Sequence, residues 1–128
     1  MFLHEETSKN PFKIISYFIY INSSGVRAAD ILIDFNGKII PGAAQGNGGY
    51  NAFMNALKKC INKIPDLIDF EIHIPPGGKS DALVEAKITW IYKNKKFETI
   101  GMSTDQVDAA IKATEKAINF IIIHLNGK

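Results

Sequence analysis

Apolar and polar residues alternate along the chain in a way that predicts three strands before the first helix. Both alternating faces are apolar from Phe12 to Asn22, which indicates a strand covered on both sides or shielded on one side by a partner chain. The run from Val26 to Phe35 keeps aspartates on one face and predicts a second strand. Asn36-Gly37 is the dipeptide that type I′ hairpin turns require, so we expect a third, antiparallel strand from Lys38 to about Ala44.

A glycine-rich stretch, GAAQGNGGYNA from Gly42 to Ala52, runs directly into an amphipathic helix pattern. The apolar stripe of this helix continues from about Gly49 to Ile64, and Pro65 is expected to end it. Glycine allows a ligand to approach the main chain, and the N–H groups and dipole of a helix N-terminus favour a carboxylate or phosphate. Taken alone, the glycine cluster fits a ligand-binding loop and a tight turn without ligand about equally well.

The second half of the chain repeats the three-strand pattern. Apolar residues alternate with polar ones from Leu67 to Ile74 and again from Ala82 to Tyr92. Lys93-Asn94 then turns the chain into a short strand from Lys96 to Gly101. The side chains expected to point inward from the first of these strands are Ile68, Phe70, Ile72 and Ile74.

A helix pattern from about Thr104 to Leu125 closes the second half, and Ser103 with Gln106 fits the S-x-x-Q capping box at its start. A shift of 57 positions aligns the two halves from Ile31 and Ile88 onward. The sequence therefore predicts an α+β fold of two βββα units related by pseudo-twofold symmetry, with antiparallel sheets packed on helices. The predicted repeats are residues 12–64 and 65–128 of a single domain, preceded by a flexible leader or linker remnant at 1–11.

Composition and charge mainly exclude classes of function. A chain of 128 residues is long enough to bury a core without disulfides or metal, and a net charge of +2 is too small to indicate nucleic-acid binding. The longest apolar runs are too short to cross a bilayer, and the N-terminus has no signal-peptide pattern. Cys60 has no second cysteine to pair with. We therefore expect a cytoplasmic protein with neither nucleic acid nor membrane as a partner.

The sequence offers no convincing catalytic or metal-binding set. The GGKS stretch at 77–80 resembles part of a phosphate-binding loop, but His73 stands where that motif needs its first glycine, so a solvated turn is the better interpretation. The three histidines, His4, His73 and His124, have no metal-ligand spacing to one another or to Cys60. No catalytic residue, metal or cofactor is predicted for this domain.

Two motifs, together with their order and spacing, are similar to those of one known family. AAQGNGGYNA is similar to an Ala-rich strand end that runs into G-N-G-P-x-D-A, and TIGMSTDQVDAA is similar to T-V-G-V-S followed by a small-residue helix. Between them, Asp69-Phe70 matches an aspartate–aromatic pair and Asp81-Ala82 matches a loop ending in D-A. From about Phe12 on, the chain resembles the C-terminal regulatory, or dimerisation, domain of the 2-isopropylmalate synthase and citramalate synthase family.

The resemblance implies a homodimer that binds the end-product amino acid, leucine or isoleucine, as a feedback inhibitor near the dimer interface. It also implies a parent acyl-CoA-dependent synthase whose catalytic barrel domain is not in this sequence. The favoured parent is a 2-isopropylmalate synthase of leucine biosynthesis, and the alternative is a citramalate synthase regulated by isoleucine. A structural dimerisation module without ligand remains a third possibility. Gly49 in place of the usual proline, and Asn51 in place of the common aspartate, are the departures that support it.

The family's effector-binding positions carry over residue by residue. Gly46, Asn47 and Gly48 would meet the polar end of the amino acid through main-chain groups, and Asn51 or Ser103 would hydrogen-bond its ammonium group. The pocket for its branched side chain would be lined by Tyr50, Leu67, Phe70, Ile74, Ala82 and Val84. A plain core role is the rival interpretation for Phe70, Ile74, Ala82 and Val84, because the alternation already predicts that they face inward.

Overall fold

The computed structural model describes residues 10–74 and 83–125, and the chain divides into two compact units, Met1–Asn62 and Lys63–Lys128. We refer to them as unit 1 and unit 2. Unit 1 contains β1 (Phe12–Ile21), β2 (Arg27–Phe35), β3 (Lys38–Gly46) and α1 (Gly49–Cys60). Unit 2 contains β4 (Asp66–His73), β5 (Val84–Tyr92), β6 (Lys95–Ser103) and α2 (Gln106–Phe120), which continues as a π-helical segment, Ile121–Leu125. The predicted α+β fold with two βββα units is confirmed, and the pseudo-twofold relation stays a prediction.

Sheet 1 is antiparallel in the order β1-β2-β3 and packs one face on α1. Ile31 and Ile33 of the central strand are buried on the packed face, and Phe53 and Leu57 are buried on α1, which contacts that strand. Asn36 and Gly37 both have positive φ angles, 54° and 87°, as the predicted type I′ turn between β2 and β3 requires. β1 is the predicted strand, but its second face, which includes Phe18, is exposed in this chain.

Sheet 2 is antiparallel in the order β4-β5-β6 and packs one face on α2. Its fully buried Trp90 donates an indole N–H to the hydroxyl of Thr99 over 2.9 Å, and that hydroxyl donates to the carbonyl of Ala113 in α2 over 2.8 Å. This relay satisfies the one polar group of the largest core side chain and ties β5, β6 and α2 together. The predicted turn at Lys93-Asn94 has positive φ at both residues.

A register shift interrupts the first strand pair of each unit. The shift lies between Ile14 and Ser16 in unit 1 and between Leu67 and Asp69 in unit 2. The interpretation of Ile68 as an inward residue was wrong, because the bulge leaves it exposed while Leu67 aligns with Trp90. A simple period of two cannot anticipate this extra residue.

Both helix boundaries differ from the sequence expectation. α1 ends at Cys60 rather than near Ile64, because Ile61 adopts extended angles of −140° and 160° while its side chain stays buried. The predicted capping box at Ser103 and Gln106 was also wrong. Ser103 is the last residue of β6, and the N-cap of α2 is Asp105, whose carboxylate accepts a 2.8 Å hydrogen bond from the Val107 N–H.

The third strand of each sheet is longer than predicted and is covered at its outer edge by side chains of the following helix. In unit 1, Lys59 donates to the Ala43 carbonyl over 3.1 Å and Asn55 donates to the Gln45 carbonyl over 2.9 Å. Side chains 57 positions later repeat both bonds: Lys116 donates to Ile100 and Lys112 donates to Met102, over 2.7 and 3.4 Å. None of the helices within residues 10–74 and 83–125 is long and apolar enough to span a membrane.

Candidate functional site

The glycine-rich loop joins β3 to the N-terminus of α1 in unit 1. Gly48 is the N-cap residue, and no side chain in the described part of the chain caps this helix. The first turn of α1 carries no acidic residue, whereas Lys58 and Lys59 lie in its last turn. A helix N-terminus without a side-chain acceptor presents backbone N–H groups and partial positive charge, which is a favourable place for a carboxylate.

Gly46 holds this loop close to the helix. A Cβ atom at this position would lie 2.5 Å from both the Ala52 backbone nitrogen and the Asn51 side-chain oxygen. The Ala52 nitrogen belongs to the backbone and cannot turn aside as a side-chain end could, so only glycine fits without moving the loop or the helix. At Gly48, in contrast, an added Cβ atom would meet no other atom within 4 Å. The space in front of the N-terminus of α1 is therefore open at this residue.

Asn51 and Asn47 form the local frame of the loop. The Asn51 side-chain oxygen accepts from the Asn47 backbone N–H at 2.8 Å and from the Asn55 amide at 3.3 Å. The Asn47 N–H is therefore used within the loop, and the Asn51 oxygen already has two donors. Gly46, Asn47, Gly48 and Asn51 thus lie together in one loop of unit 1, and hydrogen bonds inside the unit fix Asn47 and Asn51.

Tyr50 lies beside the open helix N-terminus and is half-buried. Its ring stacks on Phe53 with centroids 6.3 Å apart and 22° between the ring planes, and Phe53 also meets Tyr17 of β1 edge-on at 6.0 Å. This aromatic group places a large, ordered apolar surface next to the N-terminus of α1.

Unit 2 holds the remaining predicted site residues. Leu67 and Phe70 are exposed on β4, and Ile74, which is 61% exposed, follows the end of that strand. Val84 and Ser103 are cross-strand partners, and both are buried. Ala82 lies outside the described residues. Within unit 2, the structure therefore pairs Val84 with Ser103 and leaves Leu67, Phe70 and Ile74 as accessible apolar side chains.

The counterpart of the loop in unit 2 is closed by its own side chains. Asp105 caps α2, and the Ser103 hydroxyl accepts from the Asp105 backbone N–H over 3.2 Å. Asp108, in the first turn, pairs with Lys112 at 3.2 Å. At the N-terminus of α2, side chains of the protein itself therefore supply the hydrogen-bond acceptors. At the N-terminus of α1, no capping side chain supplies one.

Sequence reasoning missed two residues that position the loop. Asn55 and Lys59 bind the carbonyls of Gln45 and Ala43 and so fix the end of β3 against α1. No role in the site was predicted for either residue. Lysine occurs at the same place in both repeats, as Lys59 and Lys116, and this repetition was the signal in the sequence that the two lysines bind the edge of the third strand.

The described part of the chain contains no group of three or more His, Cys, Asp or Glu side chains placed to hold a metal ion. Burial raises the pKa of the Cys60 thiol, which lies 3.5 Å from the Ala56 carbonyl. A raised pKa keeps the thiol protonated at neutral pH, opposite to what a nucleophilic cysteine needs.

Comparison with known proteins identifies the class to which this fold and loop belong. The family model of the LeuA allosteric (dimerisation) domain matches residues 1–122, and the chain belongs to that family. The 2-isopropylmalate synthase of Shewanella sp. (strain MR-7) is 28% identical over 120 residues, which cover 92% of this chain and 23% of the relative. The 2-isopropylmalate synthase of Shewanella oneidensis is 32% identical over 98 residues, which cover 77% and 19%, respectively. The chain thus spans less than a quarter of the length of these relatives.

Proposed function

We propose that this chain is the regulatory domain of a 2-isopropylmalate synthase, which binds the end-product branched-chain amino acid as a homodimer and transmits feedback inhibition to a catalytic barrel domain. Leucine is the proposed effector. Membership of the allosteric (dimerisation) domain family and the likeness to 2-isopropylmalate synthases support the choice of parent enzyme.

The observation that carries the proposal is the contrast between the two helix N-termini. The N-terminus of α2 is capped by Asp105, whereas that of α1 follows a glycine run and has no side-chain cap in the described residues. The carboxylate of a free amino acid supplies the acceptor that Asp105 supplies in unit 2. The main-chain groups around Gly46, Asn47 and Gly48 are the proposed contacts of that carboxylate.

The branched side chain of the effector needs apolar contacts, and Tyr50 is the proposed contact beside the helix N-terminus. Leu67, Phe70 and Ile74 are further proposed contacts, because each is an accessible apolar side chain in unit 2. Ala82 and Val84 keep the role that the resemblance implies, although the burial of Val84 also suits a core position. Asn51 or Ser103 is the proposed partner of the ammonium group, as the resemblance implies.

The size of the ligand limits its affinity. A free amino acid such as leucine has about nine heavy atoms, and small ligands gain at most about 1.5 kcal/mol per atom and usually far less. We therefore expect a dissociation constant between about 1 μM and 1 mM. Regulation further requires that the effector bind one arrangement of the dimer better than another, since equal affinity for both shifts nothing.

Isothermal titration calorimetry of the purified chain tests this proposal. Leucine should give saturable heat, isoleucine a weaker response, and glycine none, since glycine has the zwitterion but no branched side chain. A stronger response to isoleucine would favour the citramalate synthase alternative. Flat traces for both branched amino acids with a folded dimer would contradict effector binding and leave a structural dimerisation module.

The repeat supplies a matched pair of variants for the same titration. Val107 occupies in α2 the place that Tyr50 occupies in α1, so Tyr50→Val gives unit 1 the side chain of unit 2. We expect this change to weaken leucine binding by about tenfold, because it removes the aromatic surface beside the helix N-terminus. Val107→Ala should leave leucine binding unchanged.

A further inference from the structure

Three asparagines of this chain are followed directly by glycine: Asn36, Asn47 and Asn126, of which Asn126 lies outside the described residues. Asn36-Gly37 forms the turn between β2 and β3, and Asn47-Gly48 ends the glycine-rich loop before α1. Asn36 and Asn47 are both exposed, and neither side-chain amide has a hydrogen-bond partner within residues 10–74 and 83–125. The two pairs therefore differ in what surrounds the nitrogen of the glycine.

An asparagine before glycine can lose its side-chain amide through attack by its own main chain. The glycine nitrogen bonds to the side-chain carbonyl carbon, the carbon–nitrogen bond of the amide breaks, and ammonia leaves with the proton of the backbone nitrogen. The cyclic succinimide then takes up water and opens to aspartate or isoaspartate. Glycine favours the attack because no side chain obstructs its nitrogen. The attack also requires that this nitrogen be free to lose its proton and to approach the carbonyl carbon.

The nitrogen of Gly37 is restrained by the hairpin. Its N–H donates to a carboxylate oxygen of Asp34 over 2.8 Å, and Asn36 has the positive φ of 54° that the turn requires. A negatively charged acceptor opposes loss of the proton from the nitrogen, and the hydrogen bond keeps the nitrogen directed away from the Asn36 side chain. The structure therefore predicts slow deamidation at Asn36.

The nitrogen of Gly48 has neither restraint. No hydrogen bond holds its N–H within the described residues, and the space around this glycine is open. Asn47 is held through its backbone N–H, which donates to Asn51, so its side chain is free to turn. Gly48 is also the N-cap of α1, whose first turn carries no acidic residue. The partial positive charge of the helix N-terminus stabilises the deprotonated nitrogen and the negative oxygen that forms during the attack.

We infer that Asn47-Gly48 is a deamidation site, and that its modification changes the charge of the candidate effector site. The consequence for binding rests on the proposed function, in which main-chain groups around Gly48 meet the carboxylate of the effector. Aspartate at position 47 places a negative charge beside those groups, and isoaspartate adds a methylene group to the main chain next to the bond that Asn51 accepts. Both products should bind leucine about fivefold more weakly than the unmodified chain.

Peptide mapping by mass spectrometry tests the site in the full chain, incubated without ligand at mildly alkaline pH. Asn47 should deamidate at least about tenfold faster than Asn36, because a charged hydrogen bond restrains only the Gly37 nitrogen. Asp34→Ala removes that bond and should bring the two rates to within about threefold of each other. Gly48→Ala, whose Cβ atom meets open space, should slow deamidation of Asn47 at least about tenfold. In urea, which removes the fold, both asparagines of the unaltered chain should deamidate at similar rates.

The outcomes separate this inference from the proposed function. Equal rates at Asn36 and Asn47 in the folded chain, or a difference that persists unchanged in urea, would overturn the deamidation site even if calorimetry shows leucine binding. Leucine at about ten times its dissociation constant should slow deamidation of Asn47 about fivefold or more and leave Asn36 unaffected, because the ligand covers the Gly48 nitrogen. Rapid deamidation of Asn47 without protection by leucine would support the modification site and contradict the proposed position of the effector carboxylate.

Discussion

The loops that lead into α1 and α2 differ in whether their own side chains supply hydrogen-bond acceptors to the helix N-terminus. Both join the third strand of a unit to the N-terminus of its helix, and both helices hold the strand edge with side chains at equivalent positions. In unit 2, Ser103 and Asp105 supply acceptors from the chain itself. In unit 1, the equivalent positions are Gly46 and Gly48, and no side chain there accepts from the helix.

The difference shows which features belong to the scaffold and which belong to the candidate site. The hairpin turns, the strand bulge and the helix-to-edge hydrogen bonds occur in both units, so they serve the fold. The open helix N-terminus is found in unit 1 and not at its counterpart in unit 2. The N-terminus of α1 lacks the stabilising cap that its counterpart in unit 2 has. A loss of stability that is confined to one repeat marks this helix N-terminus as a candidate functional site.

Exchanging the residue at the end of β3 for its counterpart should give the largest effect. Gly46→Ser introduces the residue that unit 2 has at this position, but its Cβ atom would collide with the Ala52 nitrogen and the Asn51 side chain. We expect a loss of about 1–3 kcal/mol in the free energy of unfolding, measured by urea denaturation. Gly48→Ala is the control, because a Cβ atom there meets open space. Equal stability of both variants would contradict the close approach of loop and helix.

Giving α1 the cap of α2 should separate stability from binding. Gly48→Asp places a carboxylate where the effector carboxylate is proposed to bind, and an aspartate N-cap also suits the helix dipole. The melting temperature of the chain without ligand should stay the same or rise slightly, while leucine affinity measured by calorimetry should fall by about tenfold or more. Gly48→Asn, which caps the helix without a charge, is the matched control and should weaken binding less. Unchanged leucine affinity in Gly48→Asp would contradict this place for the carboxylate.

Opening the closed N-terminus of unit 2 should have a smaller effect on stability. Asp105→Ala removes the acceptor of the Val107 N–H and a negative charge next to the helix N-terminus. We expect a loss of about 1 kcal/mol in the free energy of unfolding and no change in leucine affinity. Asp105→Asn, which keeps a capping oxygen, should recover most of the loss. A large fall in leucine affinity on Asp105→Ala would show that the two N-termini do not have separate roles.

The strand and turn pattern of the fold was predictable because it depends on local chemistry. Asn36-Gly37 determines a hairpin turn, and alternation defines the strands that flank it. The extent of α1 was not predictable, since Ile61 continues the apolar stripe and yet leaves the helix to bury its side chain in extended form. The cap of α2 was missed because Ser103 fits a capping motif but is held in β6 by its pairing with Val84.

The candidate site was predictable only in its glycine loop. Gly46, Gly48 and Asn51 are close in sequence and share one loop, so their clustering follows from the pattern itself. The role of Asn55 and Lys59 in holding that loop depends on how the helix lies along β3, which is a tertiary relation and leaves only the repeated lysine as a trace in the sequence. The bulge that exposes Ile68 likewise arises from strand pairing rather than from residue type.

The smallest expected effect concerns Cys60, which has Ala117 as its counterpart in α2. Burial raises the pKa of its thiol in the folded chain, so the unfolded chain ionises at a lower pH, near the ordinary thiol value of about 8.5. The difference between the two pKa values contributes to the free energy of unfolding. This contribution is fully present below the pKa of the unfolded chain and is lost as the pH rises through the raised pKa of the folded chain. Urea denaturation at pH 7 and pH 10 should therefore show a larger fall in stability for the unaltered chain than for Cys60→Ala. An identical fall in stability in both chains would mean that ionisation of the Cys60 thiol does not contribute to the pH dependence of the folded chain.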